Sequence, residues 1–355
     1  MGQTQTTKSK IRIETAFDLS YLQSGDRNVD LKQISQRRGL SKTKWFPECI
    51  EYASDERRLY VLASDHVISI TRSGQSAHAS VMRTNLRDIR GMALSPCSRM
   101  LYLVNSPKRK IFILSVVTNF EKEKPKNIFF SHFLPSVRVP VDIAFARSEA
   151  NILNDSFALV TCYKSDRVVR LDREMRETRL YELAKDFEKP TGICVAPGSR
   201  FALIGSGKEN GKKICWLDLI TGESFTLFHE RFSQPEGRPL ISPASTFALV
   251  PNTKTNTMEC IRIDPDKRSV RILESISFKS LRSPLNGTFA VGKKNSLVAF
   301  IPSESCDRVI RLKFSSMNTS IDLDTRRRRI ILEFAIVLER HHVCTREVLV
   351  HILNF

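Results

Sequence analysis

The residues best placed to do chemistry in this 355-residue chain are clustered basic side chains, scattered oxygen donors and a histidine-rich run near the C-terminus. Lys108, Arg109 and Lys110 form one basic cluster, and Lys208, Lys212 and Lys213 form another. Each lies between two short apolar runs, where a hairpin is expected, so each would present its charges to solvent. Lysine and arginine in such places bind the carboxylates or phosphates of a partner. The whole chain has the same bias, with 56 Lys and Arg against 38 Asp and Glu and a net charge of +18. That excess favours polyanionic partners, nucleic acid or an anionic membrane surface, and disfavours basic ones.

Catalytic patterns are largely missing. There is no G-x-x-x-x-G-K-[ST] phosphate loop, no G-x-S-x-G elbow and no H-E-x-x-H pair. Gly205 to Gly211 resembles part of a dinucleotide fingerprint, but it falls between two strand-like runs, where a flexible hairpin is the better reading. His341, His342, Cys344 and His351 suggest a metal cluster at first sight. Adjacent histidines diverge on either a strand or a helix, so solvated side chains are expected there. Glu48, Asn105, Asp142, Asn154 and Asn252 are oxygen donors near strand starts or ends, and they read as turn and capping residues. We therefore assign no catalytic residue, no metal site, no cofactor and no small-molecule substrate from the sequence.

The N-terminus reads Met1-Gly2-Gln3-Thr4-Gln5-Thr6, which fits the M-G-x-x-x-[ST] pattern of N-myristoylation at Gly2. One acyl chain anchors weakly, but Lys8, Lys10 and Arg12 would add attraction to an anionic membrane surface. None of the eight cysteines falls in a C-x-x-C spacing, and several sit in apolar runs as small core residues would. No secretory h-region opens the chain, and no run reaches the length of a membrane span. The expectation is a reduced cytoplasmic protein, peripheral on the cytosolic face of a membrane if acylated, and not secreted.

The elements that must position these residues come from a repeat. Pro190-Thr191-Gly192-Ile193-Cys194-Val195-Ala196-Pro197-Gly198 leads into a second run, Phe201 to Ile204. Related phrases open at positions 47, 89, 140, 235 and 284, spaced 42 to 51 residues apart. Each offers a third run of matching register, such as Ile214 to Asp218 or Cys260 to Asp264. Apolar runs of four to six residues, rich in Val, Ile and Phe and punctuated by Gly, Pro, Asn and Ser, are strands. A repeat of this length built from short strands predicts four-stranded propeller blades. The phrase resembles the NHL and YVTN-type β-propeller repeats; it lacks the Gly-His and Trp-Asp marks of WD-type blades. It departs at Cys49 and Asp142, where Gly is expected.

The expected fold is all-β: a six-bladed β-propeller of four-stranded blades, with seven blades as the alternative. Residues 1–41 form a basic arm whose strand-like piece, 11–17, could close the ring. Residues 42–314 form the propeller, and 315–355 a C-terminal extension supplying closure or a helix. The expected function is that of a non-enzymatic scaffold or binding protein for macromolecular partners. The resemblance to NHL propellers, some of which bind RNA across a basic face, implies an RNA-binding basic face as an alternative. A second alternative follows from lactonase and strictosidine-synthase-like propellers, in which a divalent cation in the central channel supports hydrolysis.

Overall fold

The computed structural model describes residues 11–18 and 47–314, apart from 54–57, 64–65, 74–75, 84–86, 117–128, 147–155, 278, 280, 292–296 and 307. Its strands form six antiparallel sheets of four, a six-bladed β-propeller. The first strand, β1 (Ile11–Asp18), belongs to the last blade. Blade one is β2 (Pro47–Ala53), β3 (Arg58–Ala63), β4 (His66–Ser73) and β5 (Ser76–Arg83). Blade two is β6 (Ile89–Leu94), β7 (Met100–Asn105), β8 (Lys110–Ser115) and β9 (Phe129–Phe133). Blade three is β10 (Pro140–Ala146), β11 (Phe157–Cys162), β12 (Arg167–Leu171) and β13 (Glu177–Glu182). Blade four is β14 (Pro190–Val195), β15 (Phe201–Ser206), β16 (Lys213–Asp218) and β17 (Ser224–Phe228). Blade five is β18 (Leu240–Ile241), β19 (Phe247–Asn252), β20 (Thr257–Asp264) and β21 (Ser269–Ser277). Blade six is β22 (Thr288–Val291), β23 (Leu297–Ser303) and β24 (Arg308–Phe314), completed on its outside by β1.

Burial is greatest in the second strands and falls from there to the rim, and the sequence follows it. Second strands such as β11, β15 and β19 are buried along their whole length, so each opens on a continuous run of four apolar residues. Outer strands face water. β13 buries only Tyr181 among its six residues, and Glu, Thr and Arg fill all of the other positions but one, the exposed Leu180.

The core lies between blades rather than within them. One cluster joins Leu159 and Val168 of blade three to Ile204 and Cys215 of blade four. The next joins Leu203 and Trp216 of blade four to Val250 and Ile261 of blade five. Phe201 stacks on Trp216 at 3.9 Å between ring centres, filling that second interface. Each sheet thus covers its neighbour's apolar face, and no blade could bury that surface alone.

Closure is made by the first strand. β1 runs antiparallel to β24, from Ile11 opposite Phe314 to Asp18 opposite Arg308, with a bulge between Thr15 and Phe17. The inner edge is closed as well: Ile50 N–H donates to the Asn286 carbonyl at 2.8 Å, and Asn286 N–H to the Glu48 carbonyl at 3.2 Å.

A single backbone device turns the chain inward at five of the six blades. Asp88, Val139, Lys189, Gln234 and Ser283 precede five of the repeated phrases, and all have φ between 50° and 61°. Four are polar or small enough for the left-handed region; Val139, β-branched with φ 53°, is strained there.

Candidate functional site

The first strand of each blade lines the axis, and its opening phrase decides what stands there. The third residue of the phrase is Cys49, Gly91, Asp142, Gly192, Gly237 and Asn286 in blades one to six. The glycines are required by neighbouring backbone. A Cβ on Gly192 would lie 2.2 Å from the Arg238 nitrogen, and one on Gly91 would lie 2.5 Å from the Val141 carbonyl oxygen. Strands this close leave the axis too narrow for six side chains, so only three of the six positions carry one.

Into this space Arg238 projects from blade five, at a position where the other phrases carry Ile50, Met92, Ile143, Ile193 and Gly287. Its guanidinium grips the Asp142 carboxylate with two bonds, Nε to Oδ2 at 2.9 Å and Nη2 to Oδ1 at 2.7 Å. Nη1 donates to Glu51 Oε1 of blade one at 2.5 Å. Nη2 also donates to the carbonyls of Met92 in blade two, at 2.8 Å, and Ile143 in blade three, at 3.2 Å. The Arg238 backbone N–H donates to Asn286 Oδ1 of blade six at 2.8 Å, and Ile193 N–H of blade four donates to Asp142 Oδ2 at 3.0 Å. One arginine and one aspartate therefore tie together the inner strands of all six blades.

Reading Asp142 as a turn or capping residue is incorrect. It is wholly buried at the axis, and its carboxylate is the centre of the network. Asn105 and Asn252 do cap turns: Asn105 accepts from Lys108 N–H and donates to the Arg87 carbonyl, and Asn252 accepts from Ser233 N–H. Asn154 lies outside the described residues.

Above the network a funnel of about 270 Å³ opens on the side of the hairpins that join first to second strands. Leu94, Phe145, Val195, Ile241 and Phe289 form an apolar wall, with Cys194 and Thr288 among them and Glu51 and Arg238 at the floor. Burial pushes the Glu51 carboxyl up to about 7, against the pull of Arg238, because Asp142 already takes the two-bonded face of that guanidinium. Arg238 is held well above its ordinary value: the two carboxylates outweigh the cost of burial. Cys194 is pushed up to about 11 by burial, which keeps it a neutral thiol. Among the described residues no group of three or more His, Cys, Asp or Glu is spaced to hold a metal ion. Glu51 and Asp142, the carboxylates a divalent cation would need at the axis, are already bound by Arg238.

The predicted basic residues lie on the opposite side. Lys108, Arg109 and Lys110 occupy the hairpin between β7 and β8, and Lys208, Lys212 and Lys213 that between β15 and β16. Equivalent hairpins share one face, so both clusters do. Their charges are only partly available. Lys208 Nζ pairs with Glu188 at 2.7 Å and Lys213 Nζ with Asp186 at 2.6 Å, whereas Lys108, Arg109 and Lys212 are exposed. The same face carries exposed Lys164 and Lys254 in the matching hairpins of blades three and five, and Arg138 and Lys189 in the connections between blades. Single basic residues in separate repeats give no local cluster to read, so only the repeat alignment could have found them. Gly2, Lys8 and Lys10 and the histidines at 341, 342 and 351 lie outside the described residues; Arg12 lies in β1 opposite Lys313.

No protein-family model matches the chain, and no curated protein sequence does either. Solved structures do. Virginiamycin B lyase from Staphylococcus aureus superposes with a TM-score of 0.53 at 11% identity, over 87% of this chain and 100% of that one. A chain of the nidogen–laminin complex gives 0.53 at 12% identity, over 71% and 91%. The periplasmic gluconolactonase of Pseudomonas aeruginosa gives 0.50 at 16%, over 68% and 72%. At these identities the likeness is one of fold. It spans a lyase, a gluconolactonase and a chain from a complex between proteins.

Proposed function

We propose that this chain is a non-enzymatic propeller that binds macromolecular partners through its hairpin faces. The observation that carries this reading is Arg238: it fills the axis and neutralises the carboxylates that a catalytic cation would need. The ring then serves as a rigid mount, and the exposed lysines and arginines around Lys108 and Lys212 supply a docking face for an acidic partner. Myristoylation of Gly2, with Lys8, Lys10 and Arg12 beside it, would hold the protein on the cytosolic face of a membrane. Ile11 pairs with Phe314 at the funnel side of blade six, opposite the basic face. Intact mass from a cell with an N-myristoyltransferase checks the modification.

The docking face is tested by titrating the protein with polyglutamate and with single-stranded RNA across a salt series. Binding to either that weakens when Lys108, Arg109, Lys110 and Lys212 become Ala supports the face, and its chemistry follows from which polymer binds more tightly. Binding that ignores these substitutions removes it.

One observation favours a second reading, a hydrolase or lyase working in the funnel. Glu51, poised near 7 at the floor of an apolar pocket, has the pKa of a general acid or base at neutral pH. Turnover of lactones or aryl esters that disappears in Glu51→Gln, with the fold intact, would replace the binding reading by the catalytic one.

A further inference from the structure

Blade three carries a second concave region, on its outer flank and away from the axis. The register of β12 on β13 sets Arg170 directly opposite Arg179. Like charges so placed repel, which destabilises the strand pair. Both heads are nevertheless held in place. The Arg170 guanidinium lies 3.9 Å from the centre of the Phe157 ring, and that of Arg179 lies 4.7 Å from the centre of the Tyr181 ring. Arg179 Nη2 also donates to the Thr221 carbonyl of blade four at 3.1 Å. Gly222, with φ 85°, makes room for it, since a Cβ there would lie 2.2 Å from Nη2.

These two arginines line a groove of about 600 Å³ together with Arg173, Arg176, Ser156 and Thr178. Arg176 is neutralised by Asp172 at 2.8 Å and Glu174 at 2.9 Å. Among the described residues no carboxylate pairs with Arg170, Arg173 or Arg179. Among the described residues four guanidinium groups, two of them over aromatic rings, meet two carboxylates and two hydroxyls in one hollow, a net charge of +2.

We propose that this groove binds the phosphate of a phosphorylated protein segment. A phosphate monoester carries nearly two negative charges and three acceptor oxygens, matching planar guanidinium donors whose mobility is already restricted. Its charge relieves the repulsion between Arg170 and Arg179. A nucleic-acid strand fits less well, because Asp172 and Glu174 on the same groove would repel the flanking phosphates. This inference stands apart from the reading of the basic face and from that of the axis.

The test is fluorescence anisotropy of the full chain with a phosphoserine peptide of neutral flanks, its unphosphorylated twin and a single-stranded RNA. The phosphopeptide should bind at least about tenfold more tightly than the twin, because its bonds to the guanidinium groups are charge-assisted. R170Q/R179Q should lose that preference, and R173Q, at the exposed rim, should weaken it while leaving the melting temperature unchanged. Arg262 and Arg271 face each other in the same way on blade five, so R262Q/R271Q removes the same charge elsewhere and should leave binding within about twofold. Equal affinity for the two peptides, or equal loss in both double variants, would overturn the proposal. RNA binding more tightly than the phosphopeptide and lost in R170Q/R179Q would give the groove to nucleic acid instead.

Discussion

The axis and the hairpin face of this propeller use the same chemistry, basic side chains beside carboxylates, with opposite physical results. At the axis Arg238 and Asp142 are buried, their bonds are enclosed by backbone, and each depends on the other. On the face Lys208 and Lys213 meet Glu188 and Asp186 at similar distances, but in water. Distance alone does not set the strength of an ion pair. Solvent decides whether breaking it leaves a stranded charge or merely a rehydrated one.

The largest expected effect comes from Arg238→Met. It strands Asp142 and Glu51 without a counter-ion at a point where all six blades meet, and should cost about 3–5 kcal/mol in urea unfolding. Adding Asp142→Leu and Glu51→Leu should recover most of that loss, because an apolar plug needs no partner. If the single variant is harmless, the axis is no different from the surface.

The next effect is in pH. Folded Glu51 titrates near 7, and its ordinary value is 4.5, so between these the folded chain holds a proton that the unfolded chain has released. Its contribution is fully present below pH 4.5 and is lost as the pH rises through 7, by about 3 kcal/mol across the window. Glu51→Gln should flatten that slope in melts taken from pH 4.5 to 8, whereas Glu188→Gln on the face should leave it as it is.

Gly192→Ala comes third. Its new methyl would meet the Arg238 backbone and should cost about 1–3 kcal/mol through displaced strands. Smallest of all, Lys208→Ala and Lys213→Ala should each change stability by no more than about 1 kcal/mol. A larger loss from either would erase the contrast between the two regions.

The sequence and structure agree where burial writes a pattern and part where it does not. Second and third strands, such as Phe201 to Ile204 and Ile214 to Asp218, are legible because both faces of each sheet are covered. The outer strands Ser76–Arg83, Phe129–Phe133 and Glu177–Glu182 escape notice; the last shows why, since a water-facing edge accepts nearly any polar residue. The axis was hidden for another reason. Asp142, Cys49 and Asn286 look like decay of a glycine motif, and Arg238 like a stray charge in an apolar phrase. They are the positions at which the repeats must differ, because six identical side chains cannot share one point. The Cys49 thiol donates to the Arg90 carbonyl and accepts from Asn286 Nδ2 at 3.3 Å, so it too belongs to the bonding around the axis. Signals of this kind appear only once the copies are stacked and their exceptions compared.

The pairing of β1 with β24 has a consequence for synthesis. Residues 11–18 leave the ribosome almost three hundred residues ahead of their partner, Arg308–Phe314. At ordinary elongation rates that is a wait of roughly 15–60 s. Throughout it the nascent chain holds a lone strand and an unsealed seam, both exposed to other polypeptides. The ring is therefore most vulnerable during that interval, and a chaperone that shields residues 11–18 until Phe314 has emerged should raise the yield of closed molecules more than one acting after closure.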